Sequence, residues 1–143
     1  AIAVCYKFTI PSNFIHNMEN LIEQAKVECN FKFHDFVADV GNLTIACHLI
    51  KVENAVYLWV GNDRDRDMND LSFAIQSRLA KEPHVTKLIG SIADETSNNL
   101  AKRLSKRLSM PVYVSFNVPV DNMSLPIIER RLHEEFKSHP EIL

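Results

Sequence analysis

A chain of 143 residues with 46% hydrophobic content is one domain's worth of polypeptide with enough apolar side chain for a packed core, which excludes a disordered tail. Its formal charge of −2 supplies no global attraction for nucleic acid, and its apolar runs are too short or too interrupted by charge for a membrane-spanning helix. Cys5, Cys29 and Cys47 form an odd set without a CxxC, so free thiols in a reducing compartment, the cytoplasm and also the nucleus, are expected in place of a disulfide framework or a zinc site.

Residues 1–10, AIAVCYKFTI, begin without Met and carry neither a basic leading region nor a small-residue cleavage site; a trimmed or incomplete start is expected, not a signal peptide. After Pro11, Ser12 and Asn13, the residues Phe14, Ile15, Met18, Leu21, Ile22 and Ala25 fall on one side of a helical wheel, and the helix ends near Cys29 and Asn30. Phe31, Phe33, Asp35 and Val37 then alternate with Lys32, His34, Phe36 and Ala38, the period of a strand with both faces partly covered. Gly41 and Asn42 mark a turn. A second run, Leu43 to Lys51, leads through Glu53 and Asn54 into Ala55–Val60, a β-hairpin expected to close at Gly61.

The AVYLWV run does not alternate. Successive strand side chains point to opposite faces, so both of its faces must be shielded from water, and one layer of helices covers only one. The missing cover is a second sheet of the chain itself, a partner subunit, or a central position that buries the strand wholly within the monomer.

NDRDRD, residues 62–67, is a solvated loop; Arg64 and Arg66 oppose any cation its carboxylates could hold. Residues 68–79 are a tie: Leu71, Phe73 and Ile75 alternate as in a strand, whereas Leu71, Ala74, Ile75 and Leu79 fit a helix. Val85–Ile89 is a short strand ending at Gly90. From Asp94 a capped helix follows, with Leu100, Leu104 and Leu108 on one stripe beside Ser97 and Ala101, and with Asp94, Thr96 and Ser97 offering oxygens to the first-turn amides. Lys102, Arg103, Lys106 and Arg107 fill the rest of its circumference; they are a solvated face or, if they bind anything, a patch for an acidic protein surface. Met110 and Pro111 end the helix before the strand Val112–Val114. Val118–Asn122 is a loop, and Ser124 is placed to cap a last helix whose stripe is Leu125, Ile128, Leu132 and Phe136. There Glu129, Arg130, Arg131, Glu134 and Glu135 are assigned to solvent, Ile127 projects as an interface candidate, and the pairs Arg130–Glu134 and Arg131–Glu135 are worth at most about 0.2–0.5 kcal/mol each. The fold class is therefore α/β of the α+β type: a mostly antiparallel sheet of about six strands with helices packed on it, in the order α-β-β-β-β-β-α-β-α.

No catalytic constellation emerges. The six histidines, His16, His34, His48, His84, His133 and His139, show no HxH or HExxH spacing, so no metal is expected among them. Gly41, Gly61 and Gly90 cannot write a phosphate-cradling loop, and no nucleotide or other cofactor is expected. Ser97 or Ser115 with His84 and Asp94 would make a minor hydrolase, against helix capping and strand-end polarity for the same residues.

The set Tyr57-Leu58-Trp59-Val60-Gly61, Leu88-Ile89-Gly90, Asp94, Thr96-Ser97, Leu100-Ala101, Arg103-Leu104, Pro111-Val112, Val114-Ser115 and Asn117 resembles the proteasome assembly chaperone 4 family in order and spacing. The similarity continues through Ile128, Glu129, Arg131, Glu134-Glu135 and Pro140-Glu141 and covers residues 31–143; residues 1–30 depart from it as an N-terminal extension bearing the first helix. The resemblance implies a non-enzymatic chaperone, without cofactor or ATP, that pairs with a proteasome assembly chaperone 3-like subunit, docks on proteasome α-subunits and promotes formation of the 20S α-ring. It also resolves 68–79 as a strand, and makes Trp59, Phe73 and Ile75 on the sheet, with Arg103 and Arg107 on the helix, candidate partner contacts. No nucleic acid or membrane partner is implied. The alternative class is a trafficking or small-GTPase regulatory module, since sheets covered on one side by helices recur there.

Overall fold

Two tight turns fold the first three strands into a meander. In the computed structural model, which describes residues 30–120 and 123–142, β1 (Lys32–Val40), β2 (Leu43–Val52) and β3 (Ala55–Asn62) are joined at Gly41–Asn42 and Glu53–Asn54. The helix expected between Phe14 and Ala25 lies outside the described residues. β3 does not stop at Gly61 as expected: its pairing with β2 continues to Asn62, opposite Ile45, and the hairpin turn is the one at Glu53–Asn54. The ambiguous stretch resolves as a strand, β4 (Leu71–Ile75), which pairs antiparallel with β5 (His84–Ile89).

Helix α1 (Thr96–Leu108) then crosses the sheet and returns the chain as β6 (Val112–Phe116) into the slot between β3 and β4. The six-stranded sheet has the order β1-β2-β3-β6-β4-β5, with β3–β6 parallel and every other pair antiparallel. A strand in that central position is covered by neighbours on both edges, which is why β6 is short and β-branched, with Val112 and Val114 fully buried. After β6 come α2 (Ser124–Ser138) and a 3-10 turn, Pro140–Ile142.

Helices α1 and α2 lie on one face of the sheet. Leu100, Ala101 and Leu104 of α1 and Ile128, Leu132 and Phe136 of α2 join Ile45, Cys47, Leu49, Val56, Leu58, Val60, Val112 and Val114 in one core. These are the inward members of each strand's alternation, so the helical period of 3.6 and the strand period of 2 meet on a single apolar layer. Cys47 is a free thiol in that layer, and burial pushes its pKa up to about 12, leaving it unreactive.

The helix ends differ in detail from expectation. Asp94 Oδ1 accepts the Thr96 amide at 3.0 Å, as anticipated for a first-turn acceptor, and that bond holds its carboxyl below the usual range. Ser97, by contrast, is fully buried and turned to the sheet. Ser109, in the left-handed conformation, ends α1 by donating its amide to the Ser105 carbonyl at 2.9 Å. In α2 Ser124 is not the cap but the first helical residue, after Met123.

Both pairs expected on α2 form, Arg130–Glu134 at 3.0 Å and Arg131–Glu135 at 2.9 Å. Glu135 is nonetheless not a solvent residue: it is 7% exposed, because the last turns of α2 press it against His34 of β1. Burial raises the carboxyl's pKa, but hydrogen bonds from His34 and Arg131 outweigh it and hold the group below its ordinary value. The stability this supplies is present above the ordinary glutamate pKa and is lost as pH falls through the lower, folded value.

Candidate docking face

Among the described residues, the second face of the sheet carries no helix. Cross-strand register lines up Phe33, Ile50, Tyr57, Tyr113, Phe73 and Thr86 as one row running over all six strands. Within it the rings of Phe73 and Tyr113 sit 4.6 Å apart, tilted by 35°, a contact geometry that adds to simple burial. A second row holds Asp35, His48, Trp59 and Ser115. Here the His48 imidazole donates to Asp35 Oδ1 at 2.7 Å and stacks 5.2 Å from the Trp59 ring.

Part of this face is covered by the chain itself. The loop 63–70 folds back from β3, so that the Trp59 indole N–H donates to the Asp67 carbonyl at 2.9 Å and the Tyr57 hydroxyl donates to Met68 Sδ at 3.4 Å. Burial under that loop raises the Tyr57 pKa against the lowering effect of a Ser115 hydrogen bond. Trp59 is left only 5% exposed, lying flat across Gly61, where a Cβ would overlap its ring. The bare position at 61 is therefore what lets the indole close down on the strand.

The far end of the loop is fixed by the strand residues after it. Asn117 Oδ1 accepts the amides of Asn69 and Asp70 at 2.8 and 3.1 Å, its amide donates to Ser115 Oγ at 2.8 Å, and Ser115 donates to the Asp70 carbonyl at 2.6 Å. Asp70 then turns through to the helix side, where Lys87 Nζ donates to its Oδ2 at 2.5 Å and Ser97 donates to its Oδ1. Ser97 Oγ in turn accepts from Lys87 and from Ser72, each at 2.9 Å, so every polar group in this buried knot is paired. Gly90 passes alongside with φ +100°, and a Cβ there would fall 2.8 Å from Asp70 Oδ2.

The knot accounts for Ser97 without catalysis. His84 alternates to the face of β5 opposite Lys87, away from Ser97, and Asp94 is engaged by Thr96, so the hydrolase set is not assembled.

Beyond the loop, among the described residues, the face presents exposed apolar side chains. Phe33 is 66% exposed, Val37 56%, Tyr113 36% and Ile75 39%, with Leu88 half exposed at the β4–β5 bulge. Of the five contact candidates, Phe73 and Ile75 belong to this surface directly, and Trp59 belongs to it beneath the loop. Arg103 and Arg107 do not: they sit on the opposite side, in the groove between α1 and α2, where Arg103 pairs with Glu129 and Arg107 donates to His133 Nδ1. Desolvation and the guanidinium together hold the His133 imidazole below its usual pKa. Lys102 and Lys106 both engage Glu82, at 3.4 and 2.6 Å, and lower its pKa. The basic circumference of α1 is thus matched within the chain itself, mostly by exposed pairs of small energetic worth.

Sequence reasoning found the need for cover over AVYLWV but not its source, because periodicity reports which faces are apolar and not what lies on them. It also passed over Phe33, Val37 and Tyr113, whose alternation marked them as surface on one side only once the helix layer was placed.

A family model described as proteasome assembly chaperone 4 matches residues 44–118. Proteasome assembly chaperone 4 of Mus musculus is 30% identical over 119 residues, 82% of this chain and 95% of that protein. The protein of the same name from Homo sapiens is 30% identical over 125 residues, 87% of this chain and 98% of its own. Among solved structures, a chain from a yeast chaperone complex for 20S proteasome assembly superposes with a TM-score of 0.54 at 14% identity, covering 80% of this chain and 96% of the yeast one, a likeness of fold. The matched segment runs from β2 to the residues just after β6 and so contains the loop-anchoring set Ser115 and Asn117, the Asp70 knot and α1; the chain belongs to the proteasome assembly chaperone 4 family.

Proposed function

We propose that the protein is a non-enzymatic assembly chaperone that forms a heterodimer with a proteasome assembly chaperone 3-like subunit through the sheet face opposite α1 and α2, and that the pair docks on proteasome α-subunits to promote formation of the 20S α-ring. The observation that carries this reading is the open apolar surface of Phe33, Val37, Ile75 and Tyr113. Several large exposed apolar side chains gathered on one sheet face mark an interaction site, and two such sheets face to face would bury their inner faces about 10 Å apart.

The mechanism needs no chemistry. A chaperone of this kind binds an incomplete ring better than the finished one and is displaced when later subunits cover its docking surface, so differential affinity alone sets the direction. A buried free thiol suits the reducing cytoplasm and nucleus, where the ring would be built.

The test is purification of the endogenous complex by an affinity tag on this chain. Proteasome α-subunits recovered with one small partner chaperone are the expected result; GTPases or coat proteins in their place would establish the trafficking alternative.

A further inference from the structure

We propose that His34, Glu135 and His139 form a binding site for a divalent transition-metal ion of the zinc class, stapling the C-terminal end of α2 to β1. The three come from distant parts of the chain, β1 and the end of α2, and converge on one carboxylate oxygen. His34 Nε2 lies 2.9 Å and His139 Nδ1 3.3 Å from Glu135 Oε1, and all three donor atoms fall within 4.8 Å of one another. The two imidazole rings face each other with centroids 4.8 Å apart.

These separations fit a metal. Ligand arms of 2.0–2.1 Å in a tetrahedron put neighbouring donor atoms about 3.3 Å apart, so the two nitrogen-to-oxygen distances are already close to the edges required and rotation of the imidazoles closes the rest. Two imidazoles and one carboxylate are the donor set that favours zinc over magnesium or calcium, which take oxygen ligands.

The surroundings hold the carboxylate in place. Glu135 is buried, and its other oxygen, Oε2, accepts from Arg131 at 2.9 Å, which fixes the orientation of the carboxylate and leaves Oε1 for the metal. Arg131 lies in turn over the Phe36 ring, 5.6 Å from its centroid. The His139 backbone is held by its amide, which donates to the Glu135 carbonyl at 3.1 Å, its ring Nδ1 lies 3.4 Å from the same carbonyl, and the following 3-10 turn is tied to β1 by Lys32 Nζ donating to the Glu141 carbonyl at 2.8 Å. The nearby guanidinium charge weakens cation binding, so a micromolar rather than nanomolar site is expected. Among the described residues no fourth protein ligand joins the three, which leaves one position to water or to a partner's side chain.

The chelator-treated full chain is titrated with zinc chloride by calorimetry and by thermal melting, beside His34→Ala and His139→Ala. One zinc per chain at micromolar Kd, a raised Tm, and a loss of affinity of roughly 100-fold or more in each variant are expected. His139, partly exposed at a helix end, gives up only its contacts to Glu135 and the His34 ring, so its variant should melt slightly below the metal-free parent and fail to respond to zinc. Nitrogen-15 spectra give the direct readout, with zinc shifting His34 Nε2 and His139 Nδ1 and magnesium shifting neither. Absence of stoichiometric binding at millimolar zinc, or binding that survives unchanged in both variants, would overturn the proposal and leave the three side chains as a hydrogen-bonded clasp.

Discussion

Asp70→Ala is expected to lower the unfolding free energy by about 3–5 kcal/mol, a large share of the 5–15 kcal/mol typical of a domain. The reason is the ammonium it would strand. Lys87 and Asp70 have mostly buried side chains, 8% and 11% exposed, and meet at 2.5 Å. Removing the carboxylate leaves the buried ammonium without its hydrogen-bonded counter-ion and deprives Ser97 of its acceptor, while the backbone bonds that Asp70 makes to Asn117 and Ser115 are kept. Urea denaturation measures the effect. The double variant Asp70→Ala/Lys87→Met should recover most of the loss, since it removes both buried charges and keeps the apolar stem. Glu82→Ala is the control: its pairs with Lys102 and Lys106 are exposed, and its cost should stay below about 1 kcal/mol. A single Asp70 variant within 1 kcal/mol of the parent would show the knot to be incidental.

Tyr113→Asp is expected to weaken the heterodimer by roughly 100-fold, close to 3 kcal/mol, with the fold retained. Tyr113 lies on central β6, flanked in register by Tyr57 and Phe73, so it sits near the middle of the open face, where desolvated aromatic anchors carry most of an interface's energy. A carboxylate there would be buried unpaired in the complex yet remain solvated in the free chain. Phe33→Asp, toward the β1 edge, should cost less. Ile127→Asp, exposed on α2 on the opposite side of the molecule, should leave the affinity unchanged. Sedimentation of co-expressed chains, with circular dichroism of the free variants, separates loss of binding from loss of fold.

How far these features could be read in advance depends on whether they are local. The meander β1–β3, the stripes Leu100–Leu104 and Ile128–Leu132–Phe136, and the doubly shielded AVYLWV strand follow from period and burial, which are properties of neighbouring residues. The extent of β3 was misjudged at Gly61 because a glycine in a strand signals either an end or a close approach, and here the approaching group is the strand's own Trp59. Ser97 carried a capping signal, but the helix starts after Glu95 with Asp94 accepting the Thr96 amide, and the Ser97 hydroxyl turns to the buried knot. Glu135 followed the polar side of its helix by pattern, but the terminal turns of α2 bring that side against β1. The meeting of His34 with His139 leaves no trace in spacing at all, since it is made by tertiary packing of two ends of the domain.

The central claim is that the sheet face opposite α1 and α2 meets the partner. It is tested most directly by placing a photo-crosslinking amino acid at position 113, and separately at position 127, in the chain co-expressed with its chaperone partner. The account predicts a crosslink to the partner subunit from 113 and none from 127; partner crosslinks from 127 with none from 113 would contradict it.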